Sequence, residues 1–356
     1  MNKIPIFRFL FHADPKIMNI ENYKTIALKK GWKTELAGPL FQQTERDILT
    51  FDTFSVLATI AKDQLSFGGG TLLNWLQLRD SPRFSFDLDT QLQFPAKTKQ
   101  EVMAKIVEPI NNSLRKSGKV TSIEVDGKKY EIGLIYFDKE KDHFSNMLSL
   151  KRSVHALTIG RDAHEYIRKD FDELSDKQVL KLKGMYGGKF CKIEDVRIEI
   201  GFSESGEPKF PTKETDVEPL VNPEAGLSPV KANVTVMEHT IASKIFRLGK
   251  HYSNTELIST IPEFIKTISD LRYWKSANLD ETLKYIRQIS ASEDYGVKEI
   301  LDSSENMLKW LKSERKAKDQ FERGAQTSML ATRISYLKVI SNVSNLIQRI
   351  REQLQD

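Results

Sequence analysis

Two short stretches carry the residue types needed to handle phosphate and a divalent cation. The first is Phe67-Gly68-Gly69-Gly70-Thr71-Leu72-Leu73; the second is Arg83-Phe84-Ser85-Phe86-Asp87-Leu88-Asp89. Strand residues two apart project from one face, so Asp87 and Asp89 stand side by side, close enough to hold a cation between them. Hard oxygen ligands of this kind suit magnesium, which keeps waters and takes one or two carboxylates together with substrate phosphates. Glycines let backbone N–H groups approach an anion, and a helix starting at Thr71 adds its N-terminal dipole. The stretch is neither the P-loop pattern G-x-x-x-x-G-K-S/T nor the dinucleotide pattern G-x-G-x-x-G.

The elements that must position these residues follow from periodicity. Apolar residues at helical spacing predict helices over Asn19–Lys30 and from Ala37 to Ala61. A short strand, Gln64–Phe67, is halted by the glycines, and a helix from Thr71 to Leu78 follows with Thr71 near its N-cap. Alternation predicts a strand over Phe86–Phe94, carrying both aspartates, and a helix spans 97–117. Strand signals recur at 119–125, Lys129–Phe137, Leu148–Ile159 and Val196–Phe202. Residues 201–230 hold five of the twelve prolines and read as a loop-rich connection and a domain boundary. From Met237 the pattern is helical, and Leu337, Ile340, Val343, Ile347, Ile350 and Leu354 form one stripe that packs on its own domain. The expected organisation is a mixed α/β core with N-terminal helices over 1–230 and a helical domain over 231–356.

The 356 residues are 39% hydrophobic and 29% charged, with aromatics throughout, which fits a globular protein and excludes low-complexity disorder. A net charge of +5, from 54 bases against 49 acids, permits an anionic partner without announcing one. Cys191 is the only cysteine, so no internal disulfide and no cysteine zinc cage exists, and a reducing cytoplasm is expected. The apolar run Ile4–Phe11 is broken by Arg8 and lacks a small-residue cleavage site, so it reads as a packed segment rather than a signal peptide. No apolar run is long enough to span a bilayer, and no membrane partner is expected.

In the order in which they stand, Gly69-Gly70-Thr71, Arg83-Phe84-Ser85 and Asp87-Leu88-Asp89 resemble the motifs of polymerase-beta-like nucleotidyltransferases, and more narrowly of the AbiEii-type toxins of toxin–antitoxin systems. The resemblance extends to a charged strand at Arg197-Ile198-Glu199-Ile200, a lysine helix containing Ala242-Ser243-Lys244, and an aspartate box at Ser269-Asp270-Leu271-Arg272-Tyr273. It spans roughly residues 40 to 275, although Asp270 stands alone where the family pattern has two aspartates. The resemblance implies an α+β fold, a polymerase-beta-like core of mixed sheet and helices followed by a helical C-terminal domain that contributes to the site. It implies magnesium-dependent transfer of a nucleoside monophosphate from an NTP to an acceptor, with tRNA or another RNA expected, and an antitoxin encoded nearby. In that scheme Asp87 and Asp89 hold two magnesium ions; Gly69, Gly70 and Thr71 seat the phosphates; Arg83 and Ser85 support the nucleotide. Lys244 compensates phosphate charge, and Asp270 positions or deprotonates the acceptor hydroxyl.

Each feature also has a plainer meaning. A lone Asp-x-Asp is usually a solvated strand edge and a lone triple glycine a turn; their joint order with Arg-Phe-Ser decides for chemistry. Glu199 is either a third metal carboxylate or one partner of Arg197 in a charged strand, the second being favoured. The six histidines show no metal-ligand spacing, and Cys191 reads as structural. Lys309, Lys312, Arg315, Lys316, Lys318 and Arg323 more often mark a solvated helix face than an RNA contact. Two competing functions remain: transfer to a small-molecule or protein hydroxyl, and an inactive NTP-binding module.

Overall fold

The computed structural model of the protein describes residues 28–30, 37–79, 82–85, 87–125, 128–155, 193–204, 210–220, 228–252, 261–272, 274–326 and 334–355. The Ile4–Phe11 segment, most of the helix expected over Asn19–Lys30, Tyr273 and Cys191 lie outside the described residues.

The N-terminal half is built on helix α1 (Ala37–Ile60), strand β1 (Leu65–Gly68), helix α2 (Gly69–Leu76) and strand β2 (Asp87–Leu92). Helix α3 joins Lys99–Val102 and Glu108–Lys116 through a π-turn at Met103–Val107. The expected continuous helix is thus bulged, and the bulge ends where Pro109, lacking an N–H, opens the next segment. Strands β3 (Thr121–Val125) and β4 (Lys128–Ile132) form a separate hairpin. Strand β5 (Ile135–Phe137) is distinct from β4, although one strand was expected over Lys129–Phe137. Gly133 divides them at φ +108°, where an added Cβ would lie 2.4 Å from the Lys119 carbonyl oxygen.

Strands β6 (Met147–His155), β7 (Ile193–Gly201), β8 (Thr212–Val217) and β9 (Val230–Thr235) complete a seven-stranded mixed sheet ordered β5-β6-β7-β2-β1-β9-β8. Strand β2 runs antiparallel to β1 and parallel to β7, and β9 runs parallel to β1. The stretch read as a loop-rich connection therefore holds a strand, β8, and the sheet continues to Thr235. The prolines misled: Pro211 and Pro219 flank β8 rather than interrupt it, and a charged edge strand such as Thr-Lys-Glu-Thr-Asp-Val has little apolar alternation to display.

Helices α4 (Met237–Tyr252), α5 (Ile261–Leu271), α6 (Leu279–Ser292), α7 (Val297–Ser313), α8 (Arg315–Gln326) and α9 (Tyr336–Gln355) follow. Pro262 sits in the first turn of α5, where its missing N–H costs nothing. Helix α9 buries Val339, Ile340, Val343, Ile347 and Ile350 against its neighbours, while Leu337, expected on that stripe, is exposed. Its neighbour Tyr336 takes the buried place, donating to the Leu311 carbonyl at 2.7 Å.

Two buried clusters result, one around the sheet with α1, the other among the helices from Met237 onward. The first fixes the glycine turn. Phe54 packs edge-on to Phe67 at 4.8 Å and against Trp75 at 5.2 Å, and Phe51 also meets Trp75 edge-on. Trp75 Nε1 donates to Asp47 at 2.9 Å. The residues just before and within the helix after Gly68-Gly69-Gly70 are thereby anchored to the same face of α1, and aromatic pairing of this kind adds about 0.5–1.5 kcal/mol per pair beyond burial. Among the described residues no helix is long and apolar enough to cross a membrane.

Candidate active site

Strand register brings the two sequence motifs together. Gly68 at the end of β1 pairs with Asp89, and on the other side of β2 Asp87 stands opposite Arg197 and Asp89 opposite Glu199. Alternation buries Leu88 and Leu92 on the core side and turns Asp87 and Asp89 to the other face with Arg197 and Glu199. Asp87 Oδ1 lies 3.5 Å from Arg197 Nη1. The two alternatives for the charged strand thus part company: Arg197 pairs with Asp87, and Glu199 faces Asp89.

The glycines have distinct tasks. Gly69 has φ +73°, and a Cβ there would fall 1.6 Å from Asp89 Oδ2, so only glycine lets the turn close on the aspartate. A Cβ on Gly70 would meet Arg83 Nη2 at 2.6 Å, Ser85 Oγ at 3.3 Å and Asp270 Oδ2 at 3.5 Å. Helix α2 begins at Gly69 with Gly68 as N-cap, three positions before the cap expected near Thr71. Thr71 is buried in the first turn and its hydroxyl donates to the Asp87 carbonyl at 2.7 Å, pinning the start of β2. It offers an anion its backbone N–H, not its hydroxyl.

Behind the glycines lies an ion network joining the sheet to the helices. Arg83 Nε and Nη2 donate to the two oxygens of Asp270 at 2.9 and 3.1 Å, and Lys244 Nζ donates to Asp270 Oδ2 at 2.8 Å. Arg83 and Asp270 are almost fully buried. Arg83 is itself held by its backbone N–H on Asn74 Oδ1 at 2.8 Å, and Asn74 Nδ2 donates to the Gly70 carbonyl. Asp270 occupies the last turn of α5, where the helix dipole disfavours an anion, so its charge depends on these two cations. Burial alone would raise its pKa, but Arg83 and Lys244 override it and hold the carboxyl well below the usual range. Asp270 is thus held ionised as the counter-charge of Arg83 and Lys244. Arg83 thus joins Asp270 to the glycine turn, its Nη2 lying where a Cβ on Gly70 would meet it at 2.6 Å.

The open carboxylates behave oppositely. Burial, then Glu199, then Asp87, push Asp89 up to about 6, against the pull of Lys244 and Arg247. Glu199 is also raised, by burial and by Asp87. Arg247, absent from the sequence reading, acts on both Asp89 and Glu199. The signal was present, since Arg247 follows Lys244 by three positions and so shares its helix face.

Among the described residues no three His, Cys, Asp or Glu side chains are gathered as a metal cage. The donor set is instead two carboxylates on one strand face, mutually repelled, next to the open N–H groups of a helix start. Its chemistry fits magnesium, which binds through few protein oxygens when substrate phosphates supply the rest.

The family described as nucleotidyl transferase AbiEii toxin, of type IV toxin–antitoxin systems, matches residues 56–292. The chain belongs to this AbiEii family. It is therefore a nucleotidyltransferase of the toxin kind, with an NTP as substrate and an antitoxin as the implied partner. The match covers the glycine turn, the Asp87/Asp89 strand, Lys244 and Asp270. The chain is similar to MenT4, a nucleotidyltransferase toxin from Mycobacterium tuberculosis, at 13% identity and TM-score 0.48, covering 94% of this chain and 90% of that one. It is similar to JHP933 from Helicobacter pylori at 12% identity and TM-score 0.43, covering 85% and 90%. No curated protein matches in sequence.

Proposed function

We propose that this AbiEii-family enzyme transfers a nucleoside monophosphate from a magnesium-bound NTP to an RNA hydroxyl, with tRNA the foremost acceptor, in the cytoplasm. The observation that carries it is the register that sets Asp89 against the Gly68–Gly69 turn, with the Lys244 charge of the helical part acting on that same carboxylate. Asp87 and Asp89 are the residues that would hold magnesium. The metal, when bound, neutralises the triphosphate and the charge developing at the reacting phosphorus.

The chain's own groups do the rest. Backbone N–H groups of Gly69, Gly70 and Thr71 at the start of α2 donate to the phosphates of the leaving pyrophosphate. Lys244, held at one side by Asp270, presents its ammonium toward them. The acceptor hydroxyl oxygen attacks the α-phosphorus and gives up its proton to solvent, the bond from that phosphorus to the oxygen bridging the α- and β-phosphates breaks, and pyrophosphate departs with the electron pair. Catalysis of this type rests on positioning and charge.

Incubation with labelled NTP, magnesium and total tRNA should label the RNA and release pyrophosphate. Asp87→Ala and Asp89→Ala should each abolish both. RNA labelling that survives both substitutions overturns the assignment. Pyrophosphate release without RNA labelling, restored by a protein or small-molecule hydroxyl, moves the acceptor to the competing class.

A further inference from the structure

Asparagine is a poor residue for a helix interior, yet Asn74 lies buried in α2, a helix of only eight residues that opens on two glycines. Such a helix has little stability of its own, so its first turn depends on added bonds. Asn74 Nδ2 donates to the Gly70 carbonyl at 2.6 Å, and Asn74 Oδ1 accepts the Arg83 backbone N–H at 2.8 Å. A carbonyl only accepts and an N–H only donates, so these partners fix the orientation of the amide and use both of its ends. One planar group thus ties the glycine turn to the loop that leads into β2. The same loop residue carries its guanidinium to Asp270, with Nη2 only 2.6 Å from where a Cβ on Gly70 would stand. The turn is therefore fastened to Arg83 twice, to its backbone through Asn74 and to its side chain by close approach at Gly70. The next residue, Trp75, bonds Asp47 at 2.9 Å, so α2 is held to α1 by Trp75 and to the Arg83 loop by Asn74.

We propose that Asn74 is a positioning residue for nucleotidyl transfer, holding the N–H groups of the glycine turn in register with the Arg83–Asp270–Lys244 clamp. The inference rests on the nucleotidyltransferase reading above and deepens it. Asn74 touches no reacting atom; it acts through Gly70 and Arg83. Negative charge grows on the departing pyrophosphate in the transition state, so donors displaced from their places lose more there than in the bound NTP. The loss therefore falls on kcat rather than on KM. A residue that served only the fold would lower the melting temperature and leave the kcat of the folded enzyme intact.

The test measures steady-state pyrophosphate release by the full chain with magnesium, NTP and total tRNA, well below the lowest melting temperature of the set. Asn74→Leu, which keeps the shape and removes both bonds, should lower kcat by at least about tenfold with KM changed by less than about threefold. Asn74→Ser, whose hydroxyl can donate to the carbonyl four residues back but cannot span to Arg83, should recover part of that loss. Ile350→Ala, a buried change elsewhere in the helical core, should lower the melting temperature while kcat stays within about twofold of the wild type. A smaller kcat loss in Asn74→Leu, a loss carried by KM, Asn74→Ser no better than Asn74→Leu, or an equal kcat loss in Ile350→Ala overturns the positioning role and leaves the nucleotidyltransferase reading standing. If Asn74→Leu does not fold, Asn74→Ser decides alone: kcat at least about threefold below the wild type supports the role, and a smaller loss overturns it. No pyrophosphate release by the wild type overturns the nucleotidyltransferase reading and the role with it.

Discussion

Two groups of carboxylates lie on either side of the glycine turn, and they are opposites in charge balance. Asp87, Asp89 and Glu199 share a half-buried strand face with partial compensation, and burial and repulsion drive Asp89 up to about 6. Asp270 is buried with two cations on its oxygens, and its pKa is driven down. The contrast teaches that an acidic residue type says little by itself; on the proposed reading the unbalanced group takes the incoming cation, while the balanced one serves as a fixed counter-charge. It also assigns the residues around the turn: Gly69 belongs to the receptive group through Asp89, and Gly70 to the balanced one through Arg83 and Asp270.

The sharpest way to break the contrast is to neutralise one member of each group. Asp89→Asn should lower kcat by at least about 10²–10³-fold, on the scale of losing one electrostatic contributor to a transition state, with thermal stability retained or raised because a repulsion is removed. Asp270→Asn should instead show first as instability, about 3–5 kcal/mol in denaturant unfolding, since it strands Arg83 and Lys244 as buried charges, with activity falling alongside. If Asp270→Asn unfolds like the wild type while abolishing turnover, the clamp reading fails and a direct chemical role returns.

Acidity separates the groups without mutation. In chelator, Asp89 with its raised folded pKa contributes stability that is present at low pH and lost as pH rises from about 4 through about 6. Asp270, depressed in the folded state, contributes stability present above about 4 and lost as pH falls below it. The melting temperature measured in chelator should therefore pass through a maximum between those limits, and Asp89→Asn should flatten its upper side. Magnesium with NTP should restore stability near neutral pH in the wild type only. The smallest effect is expected at Arg197, whose 3.5 Å pairing with Asp87 is half-exposed; Arg197→Ala should change stability by less than ~1 kcal/mol in denaturant unfolding.

The sequence revealed the receptive group more fully than the balanced one. Asp87, Asp89 and the glycines are local: a two-residue strand period and a short turn are enough to foresee their shared face. Gly69's dependence on Asp89 needed the register of β1 with β2, which no spacing prints. The ion network was beyond reach, because Arg83 and Asp270 are separated by 187 positions and nothing in either neighbourhood signals a buried pair. The core's edge was misread for another reason, since β8 is polar and flanked by prolines, so it carries turn signals and little apolar alternation. Helix α9 was foreseen in extent and mostly in face, with Tyr336 rather than Leu337 turned inward.

On the proposed reading the Asp87/Asp89 face, and not the Asp270 clamp, receives the metal–nucleotide complex. Manganese binding followed by electron paramagnetic resonance, with a non-hydrolysable NTP present, tests it most directly. The wild type should bind manganese saturably, and Asp87→Asn and Asp89→Asn should each lose that binding while remaining folded. Manganese bound as tightly by folded Asp89→Asn as by the wild type would contradict it.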